Sequence, residues 1–326
     1  MSEVYEYDIV VVGGGIAGFS AALYTARQGL RTAVVSMDVG GQLAYASVIE
    51  NYPGVESTSG LNLVLKVQQQ AMGFGVELFT DEVTYIEKRD KHFIVRTRKG
   101  DEFRAIAVIL ACGKAPRKLG VENEDIYVGK GLSYCVVCDA PLYKGKVVAL
   151  TSFGEKGVES LPMLSGLAKK VYYVTPVERD ESTEKARELP NVEVFTRSRI
   201  VAIRGDKKVE KIVVQTGKGE SIELVVDGVF VEMGFETRID FVKHLVDVNE
   251  KGEIIVDAYG RTRTEGLFAA GDITPTPYKQ AVIAAASAVV AALTAINYVN
   301  NVKGVKKTVV VDWEKKVTKS TKRFRL

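Results

Sequence analysis

The sequence predicts an α/β fold of two domains, each built from a largely parallel β-sheet with layers packed on both of its faces. Its 326 residues are too many for one ordinary hydrophobic core and suit two domains of the commonest size. Apolar residues make up 46% and charged residues 26% of the chain, a composition typical of folded globular proteins. Residues 7–36 and 146–174 each read as strand, turn, helix and strand, the unit from which parallel sheets are assembled.

The first of these units carries a glycine pattern at the point where the strand meets the helix. YDIVVV is followed by GGGIAG, by the helical run FSAALYTARQ and by the strand RTAVVS. Gly13, Gly15 and Gly18 fit G-x-G-x-x-G, in which the glycines allow a tight turn, the approach of a pyrophosphate and close helix packing. The helix N-terminus attracts the anion. This pattern predicts a Rossmann-like dinucleotide-binding domain, although a glycine turn without a ligand remains the alternative.

Further along the chain, the strand AVILACG (107–113) is followed by a break at APRKLG (115–120), where we place a domain boundary. A second boundary falls near residues 244–251, followed by a predicted strand, EIIVDA (253–258). The alanine-rich run 281–299 is predicted to be a buried helix rather than a membrane span, because alanine packs closely but adds little hydrophobic driving force.

The chain has three cysteines, and two of them lie close together in SYCVVCD. Cys135 and Cys138 have the spacing of a metal clamp, a structural disulfide or a redox pair. A metal site would need about four ligands, and only Cys112 and the two histidines could complete one, so the sequence predicts no metal site. The N-terminus reads directly into a strand without a basic leader, which indicates a reducing, cytoplasmic setting in which a close pair is more often catalytic.

Basic residues are concentrated in residues 306–326, where lysine and arginine outnumber acidic residues eight to two. Such a tail is either solvated or a docking surface for an acidic partner. Trp313 and Phe324 are its only aromatic residues, and no nucleic-acid-binding module accompanies them, so nucleic acid is not expected as a partner.

The motifs together resemble one family, the low-molecular-weight thioredoxin reductases, which are FAD-dependent flavoproteins with two dinucleotide-binding domains. The resemblance rests on GGGIAG, GGQL, IENYPG, SYCVVCD, GLFAAGDI and YKQAVIAAASA, which follow in family order from residue 7 to about residue 300. It implies a discontinuous FAD domain, residues 1–116 and 246–326, with a CxxC-bearing domain, residues 117–245, inserted into it. It also implies a homodimer.

The resemblance implies the positions of the cofactor-binding residues. Asp272 is expected on the ribityl or phosphate side of the flavin, Gln280 and Ala281 at the isoalloxazine, and Asn51 near the ring. An ordinary turn role for Asn51 is the alternative. The residues implied to bind FAD are Gly13, Gly15, Gly18, Ser36, Gly41, Gln42, Asn51, Val83, Gly113, Asp272, Gln280 and Ala281.

The resemblance also gives the cysteines a function. Cys138 is implied to face the flavin, Cys135 to attack the disulfide of a thioredoxin- or glutaredoxin-like protein, and Asp139 to act as the acid. A CxxC disulfide closes a small ring that thiolate attack can open and close again. The alternative for Asp139 is a helix or turn cap, and Cys112 is expected to be a buried apolar residue.

The second glycine turn departs from the family pattern. Ser152 replaces the first glycine, which obstructs the approach of a pyrophosphate. Pro162 would break the following helix, so we expect a helix that begins afresh at Ser160. The next strand leads to Glu178 and a single nearby cation, Arg179, where NADPH would need a basic cluster.

NAD(P)H use is therefore doubtful, and ferredoxin or another carrier is the alternative donor. A non-catalytic, redox-sensing flavoprotein remains a further alternative. Trp313 or Phe324 of the extra tail is expected to pack near the flavin or the dimer partner.

Overall fold

The computed structural model describes residues 3–46 and 48–305, and for Tyr45 and Cys138 it describes the backbone only. The expectations for Trp313 and Phe324 therefore lie outside the described residues. The described chain contains 17 strands and six helices. The strands are β1 (Val4–Val12), β2 (Thr32–Ser36), β3 (Glu77–Thr80), β4 (Val83–Arg89), β5 (His92–Thr97), β6 (Glu102–Leu110), β7 (Ala115–Pro116), β8 (Leu132–Ser133), β9 (Val147–Ser152), β10 (Lys170–Val174), β11 (Val192–Phe195), β12 (Arg199–Arg204), β13 (Lys211–Gln215), β14 (Ser221–Val225), β15 (Gly228–Glu232), β16 (Phe235–Glu236) and β17 (Leu267–Ala269). The helices are α1 (Ile16–Arg27), α2 (Gly60–Gly73), α3 (Val136–Asp139), α4 (Gly154–Leu167), α5 (Glu181–Arg187) and α6 (Ala281–Val302).

The chain divides into two compact units, and the first is assembled from separate parts of the sequence. Within the described residues, the first unit comprises residues 3–44, 49–114 and 237–305. The second comprises residues 45–48 and 115–236. The chain returns to the first unit between residues 236 and 237, nine residues before the expected boundary at 245/246. The boundary is earlier because Ile239 and Val242 are buried in the core of the first unit.

A seven-stranded sheet organises the first unit, with the order β3-β2-β1-β6-β5-β4 and β17 beside β6. Strands β3, β2, β1, β6 and β17 run parallel to one another, whereas β5 pairs antiparallel with both β6 and β4. In β1, Ile9 and Val11 belong to one core cluster and Val10 and Val12 to the other, so both faces of the strand are covered. Val12 pairs with Leu110 of β6 and Val35 of β2, so these strands reach a common edge at the first glycine turn.

Helix α6 lies in the core of the first unit. Its length and hydropathy are sufficient for a membrane span, the only such helix within the described residues, and soluble core helices pass the same test. Its alanine-rich face, which includes Ala288, Ala291 and Ala295, is buried in a cluster with residues of α1 and α2. The prediction of a helix is confirmed, and its alanine-rich face is buried as expected. The prediction of a strand over residues 253–258 is wrong, since this segment forms only an isolated bridge, between Ile254 and Val248. Successive amides bond to different partners: Ile254 N–H to the Ile273 carbonyl and Ile255 N–H to the Asp247 carbonyl.

The second unit has a parallel five-stranded sheet of order β11-β10-β9-β15-β8. On one face, Leu161 and Leu164 of α4 and Ala186 of α5 form a core cluster with strand residues. On the other face, a three-stranded antiparallel sheet, β12-β13-β14, contributes Ile203 and Ile212 to a second cluster. The sheet is therefore the middle of three layers.

Helix α4 differs from the expectation at Pro162. The helix does not begin afresh at Ser160 but is continuous from Gly154 to Leu167, with Pro162 inside it and exposed. A proline in a helix interior costs about 3 kcal/mol because it removes a backbone hydrogen bond and crowds the preceding turn. The burial of Leu161 and Leu164 on the same helix explains why the helix persists, since each buried leucine contributes about 2 kcal/mol.

Candidate active site

The first glycine turn is closed tightly around three of its glycines. Gly13 has φ of 116°, and a Cβ there would lie 2.4 Å from the Ala111 carbonyl oxygen. A Cβ on Gly18 would lie 1.9 Å from the Gly13 carbonyl oxygen, and one on Gly14 would lie 2.4 Å from the Asp38 carbonyl oxygen. Any side chain at these positions would force the turn open. These glycines are therefore required by the packing of the turn itself.

Gly15 differs because the space in front of it is open. A Cβ at Gly15 would meet only the Gly40 carbonyl oxygen, at 4.0 Å. Gly15 is also the N-cap of the 12-residue helix α1, so no side chain of its own accepts hydrogen bonds from the first helical turn. Open space before uncapped backbone amides is the setting in which a helix N-terminus binds a pyrophosphate. The residues present therefore fit the adenosine diphosphate portion of FAD.

Several other expected cofactor residues lie around this turn. Ser36 Oγ accepts a hydrogen bond from Gly14 N–H at 2.8 Å, so its hydroxyl supports the turn. A Cβ on Gly41 would lie 3.5 Å from the Gly15 Cα, which brings the GGQL loop with Gln42 to the same place. Val83 begins β4 near the end of β2, since the Asp81 N–H donates to the Ser36 carbonyl at 3.0 Å.

A second group of expected residues meets at the start of α6. Asn51 Nδ2 donates to Gln280 Oε1 at 3.2 Å, although the two residues are 229 positions apart. Gln280 is the N-cap of α6 and Ala281 its first residue. Asp272 follows β17 in the Gly271–Ile273 turn, and burial raises the pKa of its carboxyl despite the opposing charges of Lys279 and Lys114. Gly113, with φ of 60°, follows the end of β6.

An ion cluster beside this group was not anticipated from the sequence. Glu253 Oε1 lies 2.6 Å from Lys114 Nζ and 2.9 Å from Lys279 Nζ, and the Glu253 side chain is 6% exposed. Burial alone would raise the pKa of Glu253, but hydrogen bonds from Lys114, Asn249 and Lys279 outweigh burial and lower the pKa to about 2. Lys114 follows Gly113, and Lys279 precedes Gln280. The cluster therefore ties the loop after β6 to the start of α6.

In the second unit, Cys135 is disulfide-bonded, whereas the side chain of Cys138 lies outside the described residues. Ser133 organises the turn between them: its Oγ accepts from Cys135 N–H at 3.1 Å and donates to Asp139 Oδ2 at 2.7 Å. Asp139 is thus fixed at the end of the short helix α3, which begins directly after Cys135. Ser133 was missed by sequence reasoning. Cys112, in the first unit, is a free thiol whose pKa is raised to about 12 by burial.

Glu232 was also missed, and it contacts the backbone of the cysteine turn. It ends β15, and its Oε1 accepts a hydrogen bond from Val136 N–H at 2.8 Å. Burial, together with the negative charge of Glu159, raises the pKa of Glu232, while the Val136 hydrogen bond and the charge of Lys156 oppose the shift. Glu232 and Val136 are 96 positions apart, so a sequence pattern could not have paired them.

The second glycine turn is occupied by side chains of the protein. Ser152 is fully buried, and its Oγ has no hydrogen-bond partner within the described residues. Gly154 N–H, at the start of α4, donates to Asp180 Oδ2 at 2.8 Å. A Cβ on Gly157 would lie 2.5 Å from the Ser182 Cβ, so the third glycine is required by packing alone. A carboxylate thus holds an amide that a pyrophosphate would otherwise use.

The region after β10 offers little positive charge to a 2′-phosphate. Glu178 pairs with Arg197. Arg179 Nε lies 2.9 Å from Glu184 Oε1, so this cation is also paired with an acid. Both pairs lie at the surface, where such contacts are weak. At this position, each of the two arginines is nevertheless paired with a glutamate.

Comparison with known proteins identifies the family. Residues 7–288 match the model of the pyridine nucleotide-disulphide oxidoreductases. The chain belongs to this family. It is 36% identical over 312 residues to a thioredoxin reductase of Helicobacter pylori, covering 90% of this chain and 99% of that one. The thioredoxin reductase of Streptococcus pyogenes has a similar structure, with a TM-score of 0.77, 31% identity, and coverage of 91% and 99% of the two chains.

A longer protein is equally similar. The F component of the alkyl hydroperoxide reductase of Pseudomonas aeruginosa is 37% identical over 307 residues, which cover 90% of this chain but 58% of that protein. The chain therefore spans little more than half of this relative. Within the pyridine nucleotide-disulphide oxidoreductases it belongs with the thioredoxin reductase-like FAD flavoproteins. The expectations of an α/β fold with Rossmann-like sheets and of an FAD-dependent oxidoreductase are confirmed.

Proposed function

We propose that the protein is a disulfide reductase of the thioredoxin reductase type, with Cys135 and Cys138 as its redox pair and a thioredoxin- or glutaredoxin-like protein as its substrate. The observation that carries the proposal is the disulfide at Cys135 in a turn where Ser133 holds the Asp139 carboxyl. FAD, when bound, supplies the two electrons that disulfide reduction consumes. Cys135 then attacks the partner disulfide as a thiolate, and Asp139 gives or receives the proton.

We propose that the first unit holds FAD. Gly13, Gly15 and Gly18, with Ser36, Gly41 and Gln42, form the site for the adenosine diphosphate portion, with Val83 beside it. Gly113, Asp272, Gln280, Ala281 and Asn51 form the site for the flavin portion. The open space before Gly15 and the contact between Asn51 and Gln280 support this assignment. The second unit, with the cysteine pair, is then the inserted domain.

The experiment that tests the proposed activity compares wild-type protein with Cys135→Ser. Reduction of 5,5′-dithiobis(2-nitrobenzoate) and of thioredoxin is measured by absorbance, with dithionite-reduced protein as the electron source. We expect Cys135→Ser to lose at least 99% of the activity while keeping its flavin. Full activity in this variant would contradict the proposal, and a disulfide that titrates without turnover in wild-type protein would favour a redox-sensing flavoprotein.

A second proposal concerns the electron donor, which we propose is not NADPH or NADH but ferredoxin or another carrier. The hydrogen bond from Gly154 to Asp180, the buried Ser152 and the paired charges at Glu178 and Arg179 support it. A dinucleotide would have to displace the Asp180 carboxylate and place its own negative charge beside it. Among the described residues of this turn, the unpartnered Ser152 hydroxyl instead favours a bound nucleotide.

Anaerobic titration of the flavoprotein tests this second proposal. We expect the flavin band to remain unchanged with excess NADPH or NADH and to bleach with dithionite or reduced ferredoxin. Stoichiometric bleaching by either nucleotide would refute it while leaving the disulfide reductase assignment intact. From the family resemblance we further propose a homodimer and a cytoplasmic location.

A further inference from the structure

Glu232 is a partly buried carboxyl group for which the proposed reaction has no use. It ends β15 in register with Ser152 of β9, at the carboxyl edge of the second sheet. From there its Oε1 accepts the Val136 N–H at 2.8 Å. Val136 is itself fully buried. The amide belongs to the peptide bond that joins Cys135 to Val136, so the carboxyl group is anchored only a few covalent bonds from the Cys135 sulfur.

The charged groups around Glu232 come from two helices. On α4, Lys156 and Glu159 act on it with opposite signs, and they also pair with each other at 2.8 Å between Lys156 Nζ and Glu159 Oε2. Both side chains are at least half exposed, so water screens their effect. On α3, Asp139 is held by Ser133 at the other end of the same turn. Glu232 is therefore the carboxyl group bound directly to the amide that follows Cys135.

We propose that Glu232 is a positioning residue that sets the acidity of the Cys135 thiol, by holding the first amide of α3 and by opposing the negative charge of the Cys135 thiolate. This inference rests on the proposed function, in which Cys135 acts as a thiolate. It assigns a role to a side chain outside the CxxCD motif.

The chemistry concerns the reduced state. Reduction breaks the S–S bond and takes up two electrons and one proton, giving one thiolate and one thiol. Dithiothreitol supplies the electrons in the test below and becomes a cyclic disulfide. A thiolate at Cys135 is disfavoured by a nearby carboxylate and stabilised by amide hydrogen bonds. Glu232 therefore disfavours the thiolate in two ways. It adds a negative charge nearby, and it occupies the Val136 N–H, which could otherwise donate to the sulfur.

The test measures the pH dependence of Cys135 alkylation by iodoacetamide in the dithiothreitol-reduced full-length protein, followed by mass spectrometry of the Cys135 peptide. We expect Glu232→Gln, which keeps an oxygen acceptor but removes the charge, to lower the midpoint by about one pH unit. Below both midpoints, alkylation becomes about threefold faster, because a roughly tenfold larger thiolate fraction is partly offset by lower nucleophilicity. Glu232→Ala, which also frees the Val136 N–H, should shift the midpoint at least as far.

Glu159→Gln is the matched control, because it removes a neighbouring carboxylate that pairs with Lys156 on its own helix rather than holding the Val136 N–H. Its midpoint should equal that of the wild type, and circular dichroism should show that all variants are folded. An unchanged midpoint in Glu232→Gln, or an equal shift in Glu159→Gln, would overturn the inference. Alkylation needs no flavin or turnover. A failure of the proposed function alone would therefore appear as a wild-type protein without disulfide reductase activity, while Glu232→Gln still shifts the alkylation midpoint.

Discussion

At the scale of the residue, the glycines of the first turn have two different physical reasons to be glycine. Gly13 and Gly18 leave no room for a Cβ, since backbone atoms lie within 2.4 Å and 1.9 Å of its position. Gly15 has room within the protein, so the space before it is available to a ligand. Substitution at Gly15 therefore separates cofactor binding from folding.

We expect Gly15→Ala to weaken FAD binding at least tenfold, equivalent to about 1.4 kcal/mol, because the methyl group projects toward the pyrophosphate. The thermal midpoint of the apoprotein should change little, since φ at Gly15 is −86° and suits alanine. The ratio of flavin to protein absorbance after dialysis measures the effect. Gly73→Ala, at the end of α2 with nothing within 4 Å, is the control and should retain flavin fully. Equal flavin retention in both variants would contradict the assignment.

Glu253 gives a prediction about pH. Because its pKa is about 2 in the folded protein and about 4.3 when unfolded, its ion cluster stabilises the fold above pH 5. This contribution is lost as the pH falls from 5 toward 2. At pH 7, Glu253→Gln should cost about 3 kcal/mol, since it leaves the largely buried Lys114 short of an acceptor. Urea unfolding followed by circular dichroism should show the difference between variant and wild type shrinking at pH 3.

Glu223 is the matched control for this prediction, because it also pairs with two cations, Arg204 and Lys211, but lies at the surface. Because water screens exposed pairs, Glu223→Gln should leave the free energy of unfolding close to the wild-type value at every pH. If Glu253→Gln changed the free energy of unfolding as little as Glu223→Gln does, burial would not strengthen the cluster.

At the scale of the element, α4 keeps its helical form against the preference of one residue. Pro162 is exposed, while Leu161 and Leu164 on the same helix are fully buried. The local preference of Pro162 predicts instead a helix that begins afresh at Ser160. Packing on β9 and β10 outweighs that preference, because Leu161 and Leu164 are buried against residues of both strands.

Pro162→Ala should therefore stabilise the protein. It restores a backbone donor to the helix interior and relieves crowding, a gain of about 3 kcal/mol, of which up to about 1 kcal/mol is offset by the greater freedom of the unfolded chain. We expect a net gain of about 2 kcal/mol in urea unfolding. Pro190→Ala, an exposed proline in the turn after α5, should be neutral or slightly destabilising. A destabilised Pro162→Ala protein would show that the proline is needed in α4.

At the scale of the whole molecule, two of the contacts that sequence reasoning missed join segments that are far apart in the chain. The turn from Gly13 to Gly18 and the helix α6 could be predicted because their patterns lie within a few residues. The contact of Lys114 with Glu253 spans 139 positions, and that of Val136 with Glu232 spans 96. Such pairs follow from the topology of the sheets and leave no periodic trace in the sequence.

The homodimer is a prediction at this scale. Light scattering coupled to size-exclusion chromatography should give twice the chain mass of 35.6 kDa, and the value should hold on dilution to about 1 μM if the interface is a stable one. A mass of one chain at every concentration would contradict the expectation drawn from the family resemblance.

The hydrogen bond between Gly154 and Asp180 has a practical consequence for handling this protein. Triazine-dye resins and adenosine-phosphate matrices retain enzymes by imitating a dinucleotide. If its own carboxylate fills the second nucleotide turn, the FAD-loaded protein would pass through such columns in the void. Compounds designed against the pyridine nucleotide pocket of other reductases would likewise leave it uninhibited.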